Sequence, residues 1–374
     1  MNIRPVKTAV IGSGAISDIY LENMTKRFHD LDVVACSSRN MESAKKQAEK
    51  HGLQARTNEE IFQDPEIELV VVLTPAPTHY GIVKDALLSG KHVYTEKPIS
   101  TTVEEAKELM KLADEKGLYL GSAPDTFLGS SLQTARKAID DGLIGEVTSF
   151  NVVANRDITL LASFVGFLRM PYGGIAYDYG VYYLTALVSL LGPMKKVYSV
   201  VSNYKKNRIN SFPQSPDFGK EYVYDNESQV DAILTTESGI TGTFALNGDS
   251  ALFDMGYFTI HGTKGILELG NPNDFGGDVT YIPNDLSAFV TGVKPQKLEP
   301  VSPLSDNSRG IGPAEMALAI RNKGRNRASK ELACHVLDII EQMMESSKAE
   351  SVREIETSCE RPEAFIESEL FEQE

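Results

Sequence analysis

Short apolar runs and amphipathic stretches alternate through the first 120 residues. Val6 to Ile11, Asp32 to Ser37, Leu69 to Leu73, His92 to Thr95 and the start at Leu118 to Leu120 have the length and apolar content of buried strands. Between them, Ile16 to Phe28, Ser43 to His51, Thr78 to Ser89 and Val103 to Lys116 place apolar residues at helical spacing. This alternation predicts βαβ units and a doubly wound parallel sheet over residues 1–123. The helix at Val103 to Lys116 carries its own punctuation. Thr102 and Glu105 form a capping-box pair, Val103, Ala106, Leu109 and Ala113 share a face, and Gly117 can close the last turn.

After Ala123 the pattern changes to strands. One more helix is expected over Gln133 to Asp141. Val147 to Ala154, Lys196 to Ser202, Gln229 to Thr236, Thr241 to Leu246, Tyr257 to His261 and Gly265 to Leu269 then read as strands, with turns at Ser238-Gly239 and Gly262-Thr263-Lys264. They predict an α+β domain over residues 124–374, with a large open antiparallel sheet, a helix near Tyr182 to Leu191 and another after Ser329. Residues 270–313, rich in Pro, Gly, Ser and Asn, read as long loops.

Composition narrows the function classes. With 374 residues, 41% hydrophobic and 24% charged, the chain suits two globular domains. A net charge of −15 repels phosphate backbones and argues against nucleic acid as a partner. Cys36, Cys334 and Cys359 are too few and too scattered for a disulfide framework, and no His, Cys, Asp and Glu set has metal-ligand spacing, so no metal is expected. The N-terminus does not read as a signal peptide, and the longest uncharged stretch, Tyr179 to Met194, is broken by Gly180, Gly192 and Pro193. No membrane association and a cytoplasmic location are the expectation.

Candidate chemistry clusters at strand ends. Gly12-Ser13-Gly14-Ala15-Ile16-Ser17 follows the first strand and opens a helix. Gly12 permits the tight turn, Gly14 lets a pyrophosphate approach the backbone, and the helix start at Ala15 and Ile16 favours its negative charge. The second strand ends in Ser37-Ser38-Arg39-Asn40, with no carboxylate for a ribose 2′-hydroxyl. Ser38 and Arg39 supply a hydroxyl and a guanidinium for a 2′-phosphate, which favours NADP(H), with NAD(H) as the alternative. Thr74 and His79 follow the third strand and are candidates for the ribose or nicotinamide side; His79 reads equally as a helix cap. Glu96-Lys97-Pro98 ends the next strand, where a charged pair faces the ligand edge of a parallel sheet.

Together these residues resemble the Gfo/Idh/MocA oxidoreductase family, as do the stretches SAPDTFLGSSLQTARKAIDDGLIGEV, YDYGVYYLTALVSLLGP and RASKELACHVLD. The resemblance implies an N-terminal Rossmann domain, an antiparallel C-terminal domain, Lys97 as a catalytic lysine and Glu96 as a cofactor contact. It also points to Asp178 and Gly180 of a second motif, whose usual histidine is Tyr182 here. That departure is similar to the branch with glucose–fructose oxidoreductase and dimeric dihydrodiol dehydrogenase, where NADP is the usual cofactor. Asp178 and Tyr182 are four residues apart and share a face if their helix begins before 178. Whether Tyr182 or Lys97 is the proton donor stays open.

The implied activity is hydride transfer between a nicotinamide and a carbinol or carbonyl carbon of a small sugar-like substrate. The alternatives are a glycosidase using bound NAD for a transient oxidation, and a catalytically silent cofactor-binding sensor. Arg156 and Arg169, shortly before the second motif, are further candidates to hold a hydroxyl-rich or anionic substrate. His335 reads as structural. The weakly charged second face of strands such as Thr241 to Leu246 predicts a homodimer or homotetramer through the C-terminal sheet.

Overall fold

The computed structural model describes residues 4–285, 291–292 and 294–365. They form two compact units, one of residues 4–128 and 307–334 with Phe365, the other of residues 129–306 and 335–364.

The first unit is built on six parallel strands: β1 (Val6–Ile11), β2 (Leu31–Ser37), β3 (Gln54–Ala55), β4 (Leu69–Val72), β5 (His92–Thr95) and β6 (Leu120–Ser122). Their order is β3-β2-β1-β4-β5-β6, so the winding reverses between β1 and β4. That reversal leaves a crevice at the carboxyl ends of the strands. Every residue of β4 is buried, as a strand covered on both faces requires. The helices are α1 (Ser17–Lys26), α2 (Met41–His51), α3 (Asn58–Gln63), α4 (His79–Leu88) and α5 (Val103–Lys116). At α5 the Thr102 hydroxyl accepts from the Glu105 N–H as expected, but the Glu105 carboxylate turns to Thr101 instead of completing the box. The reciprocal box occurs at α3, between Thr57 and Glu60.

The sequence pattern places one division at 123/124, whereas residues 307–334 rejoin the first unit. Their helix, Ile311–Asn322, begins in the last residues of the stretch over 270–313 that reads as loop and continues through residues with no predicted element. Its glycines have local packing reasons. The Gly310 and Gly312 N–H groups donate to the buried Asp125 carboxylate at 3.2 and 3.0 Å, and Gly312 lies against Tyr94 with no room for a Cβ.

The second unit holds a nine-stranded sheet of β7 (Val147–Asn155), β8 (Met194–Ser202), β11 (Gln229–Thr236), β12 (Thr241–Asn247), β13 (Gly256–Gly262), β14 (Gly265–Leu269), β15 (Thr280–Pro283), β16 (Gln296–Lys297) and β17 (Arg353–Glu354). A separate hairpin pairs β9 (Asn207–Ile209) with β10 (Glu221–Val223). The large sheet runs β16-β15-β14-β13-β7-β12-β11-β8-β17. It is mixed rather than purely antiparallel, because β7 and β12 pair in parallel. No hairpin signal can reveal that pair, since a parallel partner needs a long crossover.

One face of the sheet buries Phe150, Val152, Val230, Leu234, Phe244, Leu246 and Ile260. On the other, Val200, Asp231, Ala245, Val153 and Tyr257 line up across five strands. The remaining helices are α6 (Ser130–Asp140), α7 (Ile158–Phe164), α8 (Val181–Leu191) and the helix Lys330–Ala349. His335 of the last is buried: its Nε2 accepts from the Met194 N–H at 2.9 Å and its Nδ1 faces the Thr357 carbonyl at 3.0 Å. It stitches helix to strand. Among the described residues no helix is long and apolar enough to cross a membrane.

Candidate active site

In the first unit, β1 runs directly into the glycine turn. Gly12 has φ +120°, and a Cβ there would stand 2.6 Å from the Leu73 carbonyl atoms. Only glycine fits that approach. Gly14, by contrast, is exposed, with nothing within 4 Å of where a Cβ would sit. Ser17 is buried, and its N–H and hydroxyl donate to the Gly14 carbonyl at 3.0 and 2.7 Å, which tightens the turn. Helix α1 has no side-chain cap, and Ala15 and Ile16 are exposed at its start. An open glycine turn leading into an uncapped helix N-terminus fits a dinucleotide pyrophosphate. A nicotinamide dinucleotide bound there would supply the carbon that gives or accepts a hydride.

At the end of β2, Ser38 is half-buried and Arg39 exposed. The neighbouring polar groups are engaged: Ser37 donates to Asn58 at 2.6 Å, and the Asn40 side chain caps α2 by accepting from the Glu42 N–H.

The loop after β4 and the Glu96-Lys97-Pro98 loop after β5 are tied to each other by His79. Its ring is wholly buried at the start of α4. Nδ1 lies 2.7 Å from the Pro98 carbonyl and Nε2 2.6 Å from the Thr74 carbonyl. Burial lowers its pKa, while the two carbonyls pull the other way. His79 is therefore placed neither as a helix cap nor on an exposed surface; it bridges two loops of the crevice. The Thr74 hydroxyl accepts from Thr78 at 2.8 Å. Glu96 is held on both oxygens, by the Tyr20 hydroxyl at 2.7 Å and the Lys97 N–H at 3.1 Å. Tyr20 is fully buried, and burial keeps its pKa well above the ordinary value, so it serves as a neutral donor. Tyr20 escapes sequence reasoning because its partner is 76 residues away. Lys97 is half-buried.

In the second unit, Asp178 sits in a π-turn, Ala176–Gly180, that runs straight into α8 and its half-buried Tyr182. The helix thus begins before Asp178, and such turns recur at functional sites. Gly180 lets it approach the sheet, since a Cβ would meet Leu246 at 2.7 Å. Asp178 Oδ2 lies 3.5 Å from Arg156 Nη1. Arg156 Nε donates to Asp254 at 2.9 Å, and its guanidinium lies 3.7 Å from the Tyr179 ring centroid. Burial opposes the charge on Arg156, but Asp178 and Asp254 outweigh it and hold its pKa up. Arg169 is turned to the Ala162 carbonyl at 2.6 Å and stacks on Tyr222. Arg156 is thus brought to Asp178, whereas Arg169 is tied to α7 and to β10. Asp254, in an irregular segment, carries no sequence signal.

A doubly wound unit with an open glycine turn, followed by an α+β unit with a polar helix start, defines a nucleotide-dependent oxidoreductase. Residues 6–123 match the oxidoreductase family with an NAD-binding Rossmann fold, and residues 132–268 match the GFO/IDH/MocA C-terminal domain. The chain belongs to the GFO/IDH/MocA family. An uncharacterized oxidoreductase of Schizosaccharomyces pombe is 34% identical over 214 residues, 54% of this chain and 56% of the relative. The chain therefore spans just over half of that relative's length. The scyllo-inositol 2-dehydrogenase (NADP(+)) of Bacillus subtilis is 29% identical over 299 residues, 78% of this chain and 79% of the relative. A levoglucosan dehydrogenase solved with NADH and L-sorbose has a TM-score of 0.81 at 21% identity, covering 94% of this chain and 99% of its own, a likeness of fold.

Proposed function

We propose that the protein is an NADP(H)-dependent dehydrogenase that moves a hydride between the nicotinamide and a carbinol carbon of a small polyol or sugar-like substrate. The observation that carries this reading is the open turn at Gly14 over the uncapped start of α1, in a chain of an oxidoreductase family. Ser38 and Arg39 favour the 2′-phosphate, in keeping with an NADP(+)-dependent relative. Asp178 orients substrate hydroxyls, with Arg156 holding its carboxylate in place. Tyr182 or Lys97 takes the proton from the substrate oxygen as the hydride leaves, and gives it back in the reverse direction. The exposed apolar row on the large sheet supports a homo-oligomer formed through that face.

The test incubates the protein with NADP⁺ or NAD⁺ and a panel of scyllo-inositol, myo-inositol, levoglucosan and glucose, following nicotinamide absorbance. Reduction of NADP⁺ by at least one polyol is expected. Release of sugar from a glycoside with no net change in absorbance would replace this reading with a hydrolase.

A further inference from the structure

The helix that carries Asp178 and Tyr182 starts in an unusual way. The Asp178 N–H donates to the Gly174 carbonyl at 2.8 Å, but the N–H groups of Ile175, Ala176 and Tyr177 come before the first such bond, and leaving them unmet is costly. They are met instead by one residue from a separate segment. The Glu227 backbone carbonyl accepts from the Ile175 N–H at 3.2 Å, and its carboxylate Oε1 accepts from the Ala176 N–H at 3.0 Å. The Tyr177 N–H also pulls on this carboxylate electrostatically. Gly174 makes the approach possible, because a Cβ there would overlap both carboxylate oxygens.

The residues around Glu227 brace the same loop. The Tyr224 hydroxyl donates to the Gly173 carbonyl at 3.3 Å, and the Asn226 amide donates to the Leu168 and Met170 carbonyls at 2.9 and 2.8 Å. Segment 224–227 thus holds the path from Leu168 to Tyr177 with three side chains.

We propose that Glu227 is a positioning residue for the candidate site: it caps the helix bearing Asp178 and Tyr182 from outside, and its ionisation governs how firmly that helix start is held. A carboxylate there gains from charge-assisted hydrogen bonds and from the helix dipole, but its desolvation costs more than these return. Burial pushes the Glu227 carboxyl up to about 7, against the pull of its backbone N–H partners. The titratable groups facing it are Tyr177 on the helix and Tyr224 on its own segment. Asp178 and Arg208 also act on Tyr224, and Glu341 and Glu345 of the helix Lys330–Ala349 act on Tyr177. The two tyrosines stay neutral through this range, since burial raises both. The charge that changes near neutrality is therefore on Glu227; because its carboxyl is raised in the buried cap above its exposed value, the cap favours the protonated form and weakens as pH rises through about 7.

This inference rests on the proposed dehydrogenase only for its kinetic arm. The test compares wild type with Glu227→Gln, which keeps an acceptor but cannot ionise. The first arm is amide hydrogen exchange of the peptide spanning 170–185. At about pH 8 exchange in the variant, which keeps the acceptor without the buried charge, should be roughly tenfold slower than in wild type, equivalent to about 1.4 kcal/mol. Wild type should gain protection, beyond the intrinsic pH effect, as pH falls to about 6. The second arm is turnover of whichever polyol of the panel reacts with NADP⁺. The variant should hold its turnover at about pH 8 while wild type falls about tenfold below it, the two converging at about pH 6, with NADPH affinity unchanged. Unchanged exchange in the variant, or a turnover ratio that is constant with pH, overturns the proposal. If the variant does not fold, wild-type exchange across the same pH range decides alone. If no polyol reacts, the dehydrogenase reading fails while the exchange arm still judges the cap.

Discussion

Arg39 is the one charged side chain where β2 meets the cofactor turn, and it is exposed. Replacing an exposed charge-assisted contact costs about 1–2 kcal/mol, or roughly 5- to 30-fold in affinity. Arg39→Ala should therefore weaken NADPH by that factor and leave NADH nearly unchanged by calorimetry; wild type binding both equally would reject the assignment. Tyr182→Phe separates the two proposed proton donors. If Tyr182 carries the proton, turnover should fall by about 10²–10⁴ with coenzyme affinity kept. Turnover within about threefold of wild type would leave the role to Lys97. His79 makes a third case. Its ring touches only the interior, so His79→Ala should act through the loops it bridges. A loss of about 2–4 kcal/mol in urea unfolding, accompanied by weaker NADPH binding, is expected. A catalytic loss with no change in stability would show that the ring acts on the substrate instead.

Helix Ile311–Asn322 shows what holds a returning segment. Arg321 grips Glu68 with two hydrogen bonds of 2.7 Å and reaches the Arg4 and Pro5 carbonyls with its remaining N–H groups. The Arg321 bonds hold the Glu68 carboxyl below its ordinary value. A carboxyl depressed in the folded state stabilises above its unfolded value, and that contribution fades as pH falls through the folded one. Both side chains are partly exposed, so Arg321→Ala should cost only about 1–2 kcal/mol near pH 7. The gap to wild type in urea midpoint should close by about pH 3, below the ordinary carboxyl range. This helix was not legible in the sequence, while α5 was, end to end. Helix α5 shows its own cap, stripe and closing glycine within one window. The returning helix begins at Gly310-Ile311-Gly312-Pro313, residues that read as loop unless Asp125 and Tyr94 are known to wait for them. β3 and α3 were missed for a simpler reason, being too short, at two and six residues, to repeat a pattern. The same rule divides the site: Gly12, Gly14, Lys97 and Asp178 stand in contiguous motifs, whereas Tyr20, Asp254 and Glu227 work through partners far away in the chain.

Across the whole molecule, the outward face of the large sheet is the feature that reaches beyond a single chain. Val153, Tyr198, Val200, Ile233 and Tyr257 are each 40–53% exposed there. Ile233 pairs directly with Tyr198, and Val153 with Tyr257, which puts two apolar pairs on this face, on either side of β12. Light scattering should return at least twice the 41.0 kDa chain mass. Ile233→Lys should shift the protein toward monomer without unfolding it, and a wild-type monomer at micromolar concentration would reject the interface. A different consequence follows from the first unit being assembled from two stretches of chain. On the ribosome, its opening 128 residues emerge long before residues 307–334 that complete it. At roughly 5–20 residues per second, the intervening segment delays completion by on the order of 10–40 s. Through that interval Tyr94 and the Asp125 carboxyl wait without the glycines they later cover and cap. Protease resistance of the nucleotide-binding half should therefore appear in stalled nascent chains only once Cys334 has cleared the exit tunnel, which makes biosynthetic timing, rather than local sequence, the step at which this enzyme is most open to chaperones.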